Sequence, residues 1–332
     1  MHMADALVAP AVAGTMYVCS AAAAAYSVRK IRQENDPGRI PVMGVMGAFV
    51  FAAQMINFTI QGTGSSGHLC GGMLLSSLLG PYAGFLTMIS VLLIQCLLFA
   101  DGGLLALGCN VWNMAFYGCF IGSFFVWQPL MRKGATRGRI ILASVLGCVL
   151  TLQLGAFSVT LDTLASRITE LPFGVFVATM QPIHLAIGCI EGLITAAVLV
   201  FVHGARPQLL YGTGSTEGEE SRYTLKKTLA ILAVVTVLVG GVLSLFASAN
   251  PDGLEWAMER VAGTSELEAA GGIYDAAAAA QEATSLLPDY AVKGSDSAWG
   301  TALSGVVGSV AVLALCLGVC KAFKFFRKKK TV

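Results

Sequence analysis

Three residues near the start of the chain have the types and spacing for transition-metal chemistry. The sequence opens Met1-His2-Met3-Ala4-Asp5. A free α-amine followed at once by histidine is a chelator. The amine, the main-chain nitrogen of His2 and Nδ1 of its ring close two fused rings around one ion and leave one in-plane position. The stretch Gln61-Gly-Thr-Gly-Ser-Ser-Gly-His68 supplies a fourth nitrogen from a glycine-rich loop. Four nitrogens in a plane suit Ni(II) or Cu(II) better than tetrahedral Zn(II). On chemistry alone the same residues also read as a frayed terminal histidine and a helix-start histidine. The elements that would position them decide between the two.

Those elements are membrane helices. Of 332 residues, 56% are hydrophobic and 12% charged, about half the charge of an ordinary soluble domain. Apolar runs predict nine helices, at 7–28, 41–60, 68–79, 82–99, 104–130, 138–163, 175–203, 228–248 and 299–320. The run 68–79 is too short to span alone. With the Gly80-Pro81 break after it, it reads as a short helix packed inside the bundle, a break that protein or a cavity must cover. The fold class is therefore all-α: a polytopic bundle of about seven helices, followed by a unit with two more.

Charge sets the expected orientation. Eighteen of the 21 Lys and Arg residues fall on one side if the N-terminus is outside and the C-terminus inside, as the positive-inside rule requires. Arg29, Lys30 and Arg32 follow the first apolar run rather than precede it, so that run reads as a retained anchor and not a cleaved leader. Removal of Met1 is not expected, because His2 is not small. Met1, His2 and His68 then share the outer side.

Other polar residues lie at membrane depth. Gln54, Asn57 and Gln61 share one face if the second helix runs to residue 60. Asn110 and Asn113 are either helix–helix glue or partners that orient His68. His184 and Glu191, seven apart on one helix, are either a structural hydrogen-bond pair or a relay for the ion. Asn57, Gln61, Asn110, Asn113, His184 and Glu191 are the candidate residues around the metal ligands. The nine cysteines form no CxxC pair and read as small buried hydrophobes.

Residues 204–227 are a polar inner linker, which divides the chain into 1–203, 204–227 and 228–332. Asn250-Pro251 reads as the start of a helix, with Asn250 as its cap. The outer segment 249–298 carries nine acidic and two basic residues. It either raises the local cation concentration or is simply a solvated loop. Phe325-Phe326 and Arg327–Lys330 read as an inner anchor. No phosphate-binding loop, metalloprotease helix or nucleophile elbow is present, so the chain reads as no enzyme. Nothing in it calls for nucleic acid or an organic cofactor.

Several motifs together resemble the CbiM/NikM family, the substrate-binding membrane components of cobalt and nickel energy-coupling factor (ECF) transporters. They are Met1-His2-Met3-x-Asp5, Ser66-Gly67-His68-Leu69-x-Gly71-Gly72, Leu79-Gly80-Pro81, Phe99-x-Asp101-Gly102-Gly103, Leu107-Gly-x-Asn110-x-x-Asn113-Met114 and His184 through Thr195. Asn250-Pro251-Asp252-Gly253-Leu254-Glu255 resembles the PDGLE domain, the NikN-like component. The resemblance covers about residues 1–203 and then the PDGLE unit. It implies that the amine of Met1, His2 and His68 bind the ion near the outer surface. It also implies partners in the membrane, a coupling protein and ATP-binding-cassette ATPase subunits, which drive uptake across a prokaryotic cell membrane. Ni(II) is favoured and Co(II) is the alternative, as transported substrate. Met3-Ala4-Asp5-Ala6 departs from the usual Ile-Pro-Asp-Gly without losing a ligand. The runner-up reading is a membrane metal sensor or assembly protein that binds the ion without transporting it.

Overall fold

The computed structural model describes residues 1–34, 38–213, 221–265, 267–294 and 299–328, with side chains as far as residue 319. Of the expected features, residues 214–220 of the linker, Lys329 and Lys330, and the side chains of Phe325–Lys328 lie outside these. Ten helices organise the described chain: α1 (Pro10–Glu34), α2 (Arg39–Gln54), α3 (Gly72–Phe99), α4 (Leu107–Met131), α5 (Arg137–Ser166), α6 (Phe173–Ala205), α7 (Leu225–Gly241), α8 (Gly253–Ala262), α9 (Gly272–Thr284) and α10 (Trp299–Lys328). Seven spans among the described residues are long and apolar enough to cross a membrane, and α2 is a shorter apolar helix. The chain is an all-α, multi-pass membrane protein.

The helices are patterned for lipid rather than water. On α5, Leu142, Leu146, Leu150, Phe157, Leu161 and Leu164 face outward, while Ala143, Gly147, Cys148, Thr151 and Gly155 are buried. Lipid solvates large apolar side chains, so the small residues turn inward and let backbones approach. A Cβ on Gly192 or Gly188 of α6 would lie 2.6 Å from Val145 Cα or 3.0 Å from Val149 Cα.

α3 is folded back on itself. Gly80 has φ 81° and ψ 168°, which glycine adopts without a steric penalty. A Cβ on Gly84 would sit 3.0 Å from Ser76 Cα. In a continuous helix those residues would be about 12 Å apart at 1.5 Å per residue. Arms 72–79 and 81–99 therefore run antiparallel, as the Gly80-Pro81 break predicts. Tyr211 covers the turn. Its backbone N–H donates to Ser77 O at 2.8 Å, and Trp127 Nε1 donates to Tyr211 O at 2.8 Å.

Two expectations about helices are corrected. The second helix stops at Gln54, not residue 60. Phe58–Ile60 (β1) pairs antiparallel with Ser65–Gly67 (β2), Ile60 opposite Ser65. The β-branched and aromatic run Phe58-Thr59-Ile60 favours a strand, and Gly62 and Gly64, both at positive φ, make the turn. Gln54, Asn57 and Gln61 therefore do not share a helical face. Second, the acidic segment 249–298 is not one solvated loop: it contains α8 and α9. Asp252, not Asn250, caps α8. Its carboxylate accepts from the N–H groups of Leu254 and Glu255, and Glu255 bonds back to the N–H of Asp252. This is a capping box, written in the sequence as Asp-x-x-Glu.

Candidate metal centre

The N-terminal segment is fixed on both peptide faces of Met3. Its N–H donates to Asn110 Oδ1 at 2.7 Å, and Asn110 Nδ2 donates to Met3 O at 3.1 Å. Asp5 accepts from the N–H of Ala106 at 2.9 Å, at the start of α4, where unpaired N–H groups favour an anion. The side chain of Met1 lies between α4 and α5, where a Cβ on Gly155 would meet Met1 Cε at 3.1 Å and Asn113 O at 2.5 Å. Met1 is consequently buried, at 6% exposure.

His68 is held by the loop after β2. Cys70 O accepts from Gln54 Nε2 at 2.8 Å, and the N–H of Gly71 donates to Glu191 Oε1 at 2.9 Å. Gly71 has φ 87°, and a Cβ there would lie 2.4 Å from Val50 Cγ1. Gly71→Ala is expected to cost about 2–4 kcal/mol, from the left-handed backbone and overpacking together. A thermal melt in detergent checks this; an unchanged midpoint would contradict it.

These constraints bring the three predicted ligands together. The Met1 amine is 3.5 Å from His68 Nε2, and the rings of His2 and His68 stack at 5.4 Å with 19° between planes. Each group also meets an acceptor. Asp252 Oδ2 accepts from the amine at 2.6 Å. His2 Nδ1 is 3.2 Å from Asp101 Oδ1, and its Nε2 is 3.2 Å from Gln95 Oε1. His68 Nδ1 is 3.0 Å from Leu69 O, which leaves Nε2 toward the amine. In this arrangement Nδ1 of His2 faces Asp101, so chelation through it requires the ring to leave that carboxylate.

The candidate residues around the ligands sort by position. Asn110 pins Met3, and Asn113 donates to Asp162 Oδ2 at 3.0 Å. Glu191 holds the His68 loop. The backbone of Asn57 accepts from Ser248 N–H at 2.7 Å, and Gln61 is an exposed turn residue. Asn57 lines a wider cavity together with His2 and His68. His184 lines a small cavity of about 20 Å³ with Met1, His68, Cys70, Asp252 and Gly253, room for one water molecule or ion.

Sequence reasoning missed Asp252, Asp101 and Gln95. The capping box marks Asp252, and an amide inside an apolar helix marks Gln95. Gln95 also bonds to Gln54, so a chain of amides links His2 to the His68 loop. The PDGLE-like segment meets the N-terminal segment and the connection between α3 and α4 at further points. Tyr290 donates to Asp101, Gln281 donates to Gly102 O at 2.7 Å, and Tyr274 donates to Val8 O at 3.1 Å. β2 holds the segment in place: Ser66 N–H donates to Pro251 O at 2.8 Å, which presents Asp252 to the amine. A wider cavity of about 760 Å³, lined by His2, Asp101, Asp252, Glu255 and Asp289 among others, opens beside the cluster. Acidic walls attract cations into such a space.

Burial opposes charge on the amine, but the Asp252 carboxylate more than offsets it and raises the ammonium above the usual 8.0. Burial likewise opposes charge on Asp252, and the amine and His68 hold it well below 3.8. Burial lowers His2 to about 4 against the pull of Asp101, so at neutral pH its imidazole is neutral, the form that binds metals. The stability contributed by the amine is complete below pH 8.0 and lost as pH rises through its raised pKa. That contributed by Asp252 is complete above pH 3.8 and lost as pH falls through its depressed one. Among the described residues, no three His, Cys, Asp or Glu side chains form a ready-made metal group. The donors that converge here include a terminal amine.

The fold and this cluster define a membrane protein with a buried N-terminal cluster of nitrogen donors, covered by the segment that follows the seventh helix. The chain belongs to the CbiM family, the cobalt uptake substrate-specific transmembrane region, which matches residues 2–209; the PDGLE domain matches residues 226–325. It is 35% identical over 320 residues to a putative fused nickel transport protein NikMN of Archaeoglobus fulgidus, covering 95% of this chain and 96% of that one. It is 30% identical to a probable fused nickel transport protein LarMN of Lactiplantibacillus plantarum, covering 72% and 75%. A solved structure described as a truncated transition metal transporter superposes with a TM-score of 0.54 at 26% identity, over 61% of this chain and 98% of that one. The chain is thus a metal transport protein of CbiM type with a PDGLE unit fused behind it.

Proposed function

We propose that this chain captures Ni(II), with Co(II) as the alternative ion, at the outer face of a prokaryotic cell membrane. The ion then passes into an ECF-type transporter whose coupling protein and ATPases are separate chains. The observation that carries the reading is the convergence of the Met1 amine, the His2 ring and His68 Nε2 within a buried cluster. The ligands are the amine, the main-chain nitrogen and Nδ1 of His2, and Nε2 of His68. The division at 1–203, 204–227 and 228–332 is part of the same reading. The capture unit comes first, and the PDGLE unit places Asp252 and Tyr290 against it.

The mechanism follows from charge. The ammonium is held in place by Asp252, and the His2 ring by Asp101. A divalent ion attracted into the acidic cavity replaces the ammonium proton and the proton of the His2 main-chain nitrogen, and draws Nδ1 away from Asp101. The ion and the deprotonated amide together carry one positive charge, the same as the ammonium they replace, so the two carboxylates see no net change. Release reverses the exchange, as movement separates the N-terminus from His68, the amine regains its proton beside Asp252 and the His2 main-chain nitrogen regains its own. Nickel is favoured by the planar nitrogen set, and two relatives that contain both parts are named for nickel.

Isothermal titration of the purified chain with NiCl2 tests the capture step; absence of one-to-one binding would refute it. The same titration across pH has a defined sign. Because the amine must lose a proton whose pKa is above 8.0, affinity is expected to rise at least about tenfold per pH unit between pH 6 and 8. A flat profile would remove the amine from the ligand set.

A further inference from the structure

His184 on α6 contributes a donor to the cavity beside the amine that the N-terminal chelate does not use. The residue is 1% exposed. Its Nδ1 lies 2.8 Å from Met180 O, one turn back. A carbonyl can only accept, so the proton sits on Nδ1 and Nε2 carries a bare lone pair. That nitrogen is buried and has no hydrogen-bond partner, a state that native proteins rarely leave unexplained. The space before it is kept open by glycine: a Cβ on Gly253 would lie 3.1 Å from Nε2 and 3.0 Å from Cε1. The cavity is also lined by Met1, His68 and Asp252. An imidazole nitrogen with its tautomer fixed by a carbonyl is how proteins commonly present histidine to a transition metal. His184 belongs to a membrane span, whereas the amine and His68 belong to segments that precede spans.

We propose that Nε2 of His184 is a receiving ligand: a divalent transition-metal ion leaving the N-terminal chelate is held in this cavity by His184 and His68. The proposal rests on the capture reading above and extends it by one step inward. Transfer needs no redox change. The ion exchanges the amine and His2 nitrogens for His184 Nε2 and water, and the amine and the His2 main-chain nitrogen each take up a proton.

The test uses the purified full chain and Cu(II) as a spectroscopic probe. His2→Ala removes the chelating ring and leaves every residue lining the cavity. One bound Cu(II) in that variant is expected to show, by pulsed EPR, the remote nitrogens of two coordinated imidazoles, His68 and His184. His184→Asn keeps a donor for Met180 O and deletes the Nε2 lone pair. Added to His2→Ala, it is expected to reduce the count to one imidazole and weaken Cu(II) binding about tenfold or more. A single imidazole in His2→Ala, or a spectrum indifferent to His184→Asn, would overturn the proposal. The count in His2→Ala requires no change at position 184, so the test stands if the Asn variant fails to fold. Whether His2→Ala itself lowers Ni(II) affinity tests the capture reading separately.

Discussion

Acetylation of the Met1 amine is expected to weaken Ni(II) binding by at least about a thousandfold, about 4 kcal/mol at 1.4 kcal/mol per decade. The acetyl group converts the terminal amine into an amide, whose nitrogen lone pair is delocalised into the carbonyl, and it supplies no new amine. The chelate ring between amine and His2 is lost. There is also no room for the added group, because Met1 is 6% exposed and its side chain lies between α4 and α5. Asp252 loses the ammonium it pairs with at 2.6 Å, which leaves a buried carboxylate without its counter-charge. Parallel titrations of the two proteins measure the difference. Equal affinities would remove the terminal amine from the account.

His68→Ala is expected to lower Ni(II) affinity at least about a hundredfold. Residues that merely orient metal ligands are worth about 10–100-fold, and a ligand is worth no less than the upper figure. The loop around His68 does not depend on its ring. Gln54 and Glu191 hold Cys70 and Gly71 through backbone groups. The variant should therefore melt near the parent temperature while losing the ion, which separates a ligand from a structural residue. Titration with a matched melt decides it, and retained affinity would place the fourth nitrogen elsewhere.

Much of this arrangement is legible in the sequence, for physical reasons that can be named. Membrane helices announce themselves because lipid demands long apolar runs. The turn at Gly80 is visible because Gly-Pro breaks a run too short to span. The terminal chelator depends on the order of residues at the very start of the chain, with no folding needed to state it. What the sequence hides is tertiary. Nothing local says that Asp252, 251 positions along, meets the Met1 amine, or that Tyr290 meets Asp101. These contacts arise because β2 carries the chain at Pro251 across the end of the bundle that holds Met1. The helical reading of residues 55–60 failed because Asn57 and Gln61 match a helical spacing, while Phe58-Thr59-Ile60 and two glycines at positive φ favour a hairpin. Helices α8 and α9 were masked by the acidic composition around them. The capping box at Asp252 was the signal for the first of them.

The most direct test of the central claim is the absorption spectrum and magnetic moment of the one-to-one Ni(II) complex of the intact protein. Four nitrogens in a plane, from Met1, His2 and His68, predict a yellow, diamagnetic complex that disappears when the Met1 amine is acetylated. A pale, paramagnetic, six-coordinate complex, or one indifferent to acetylation, would contradict the account.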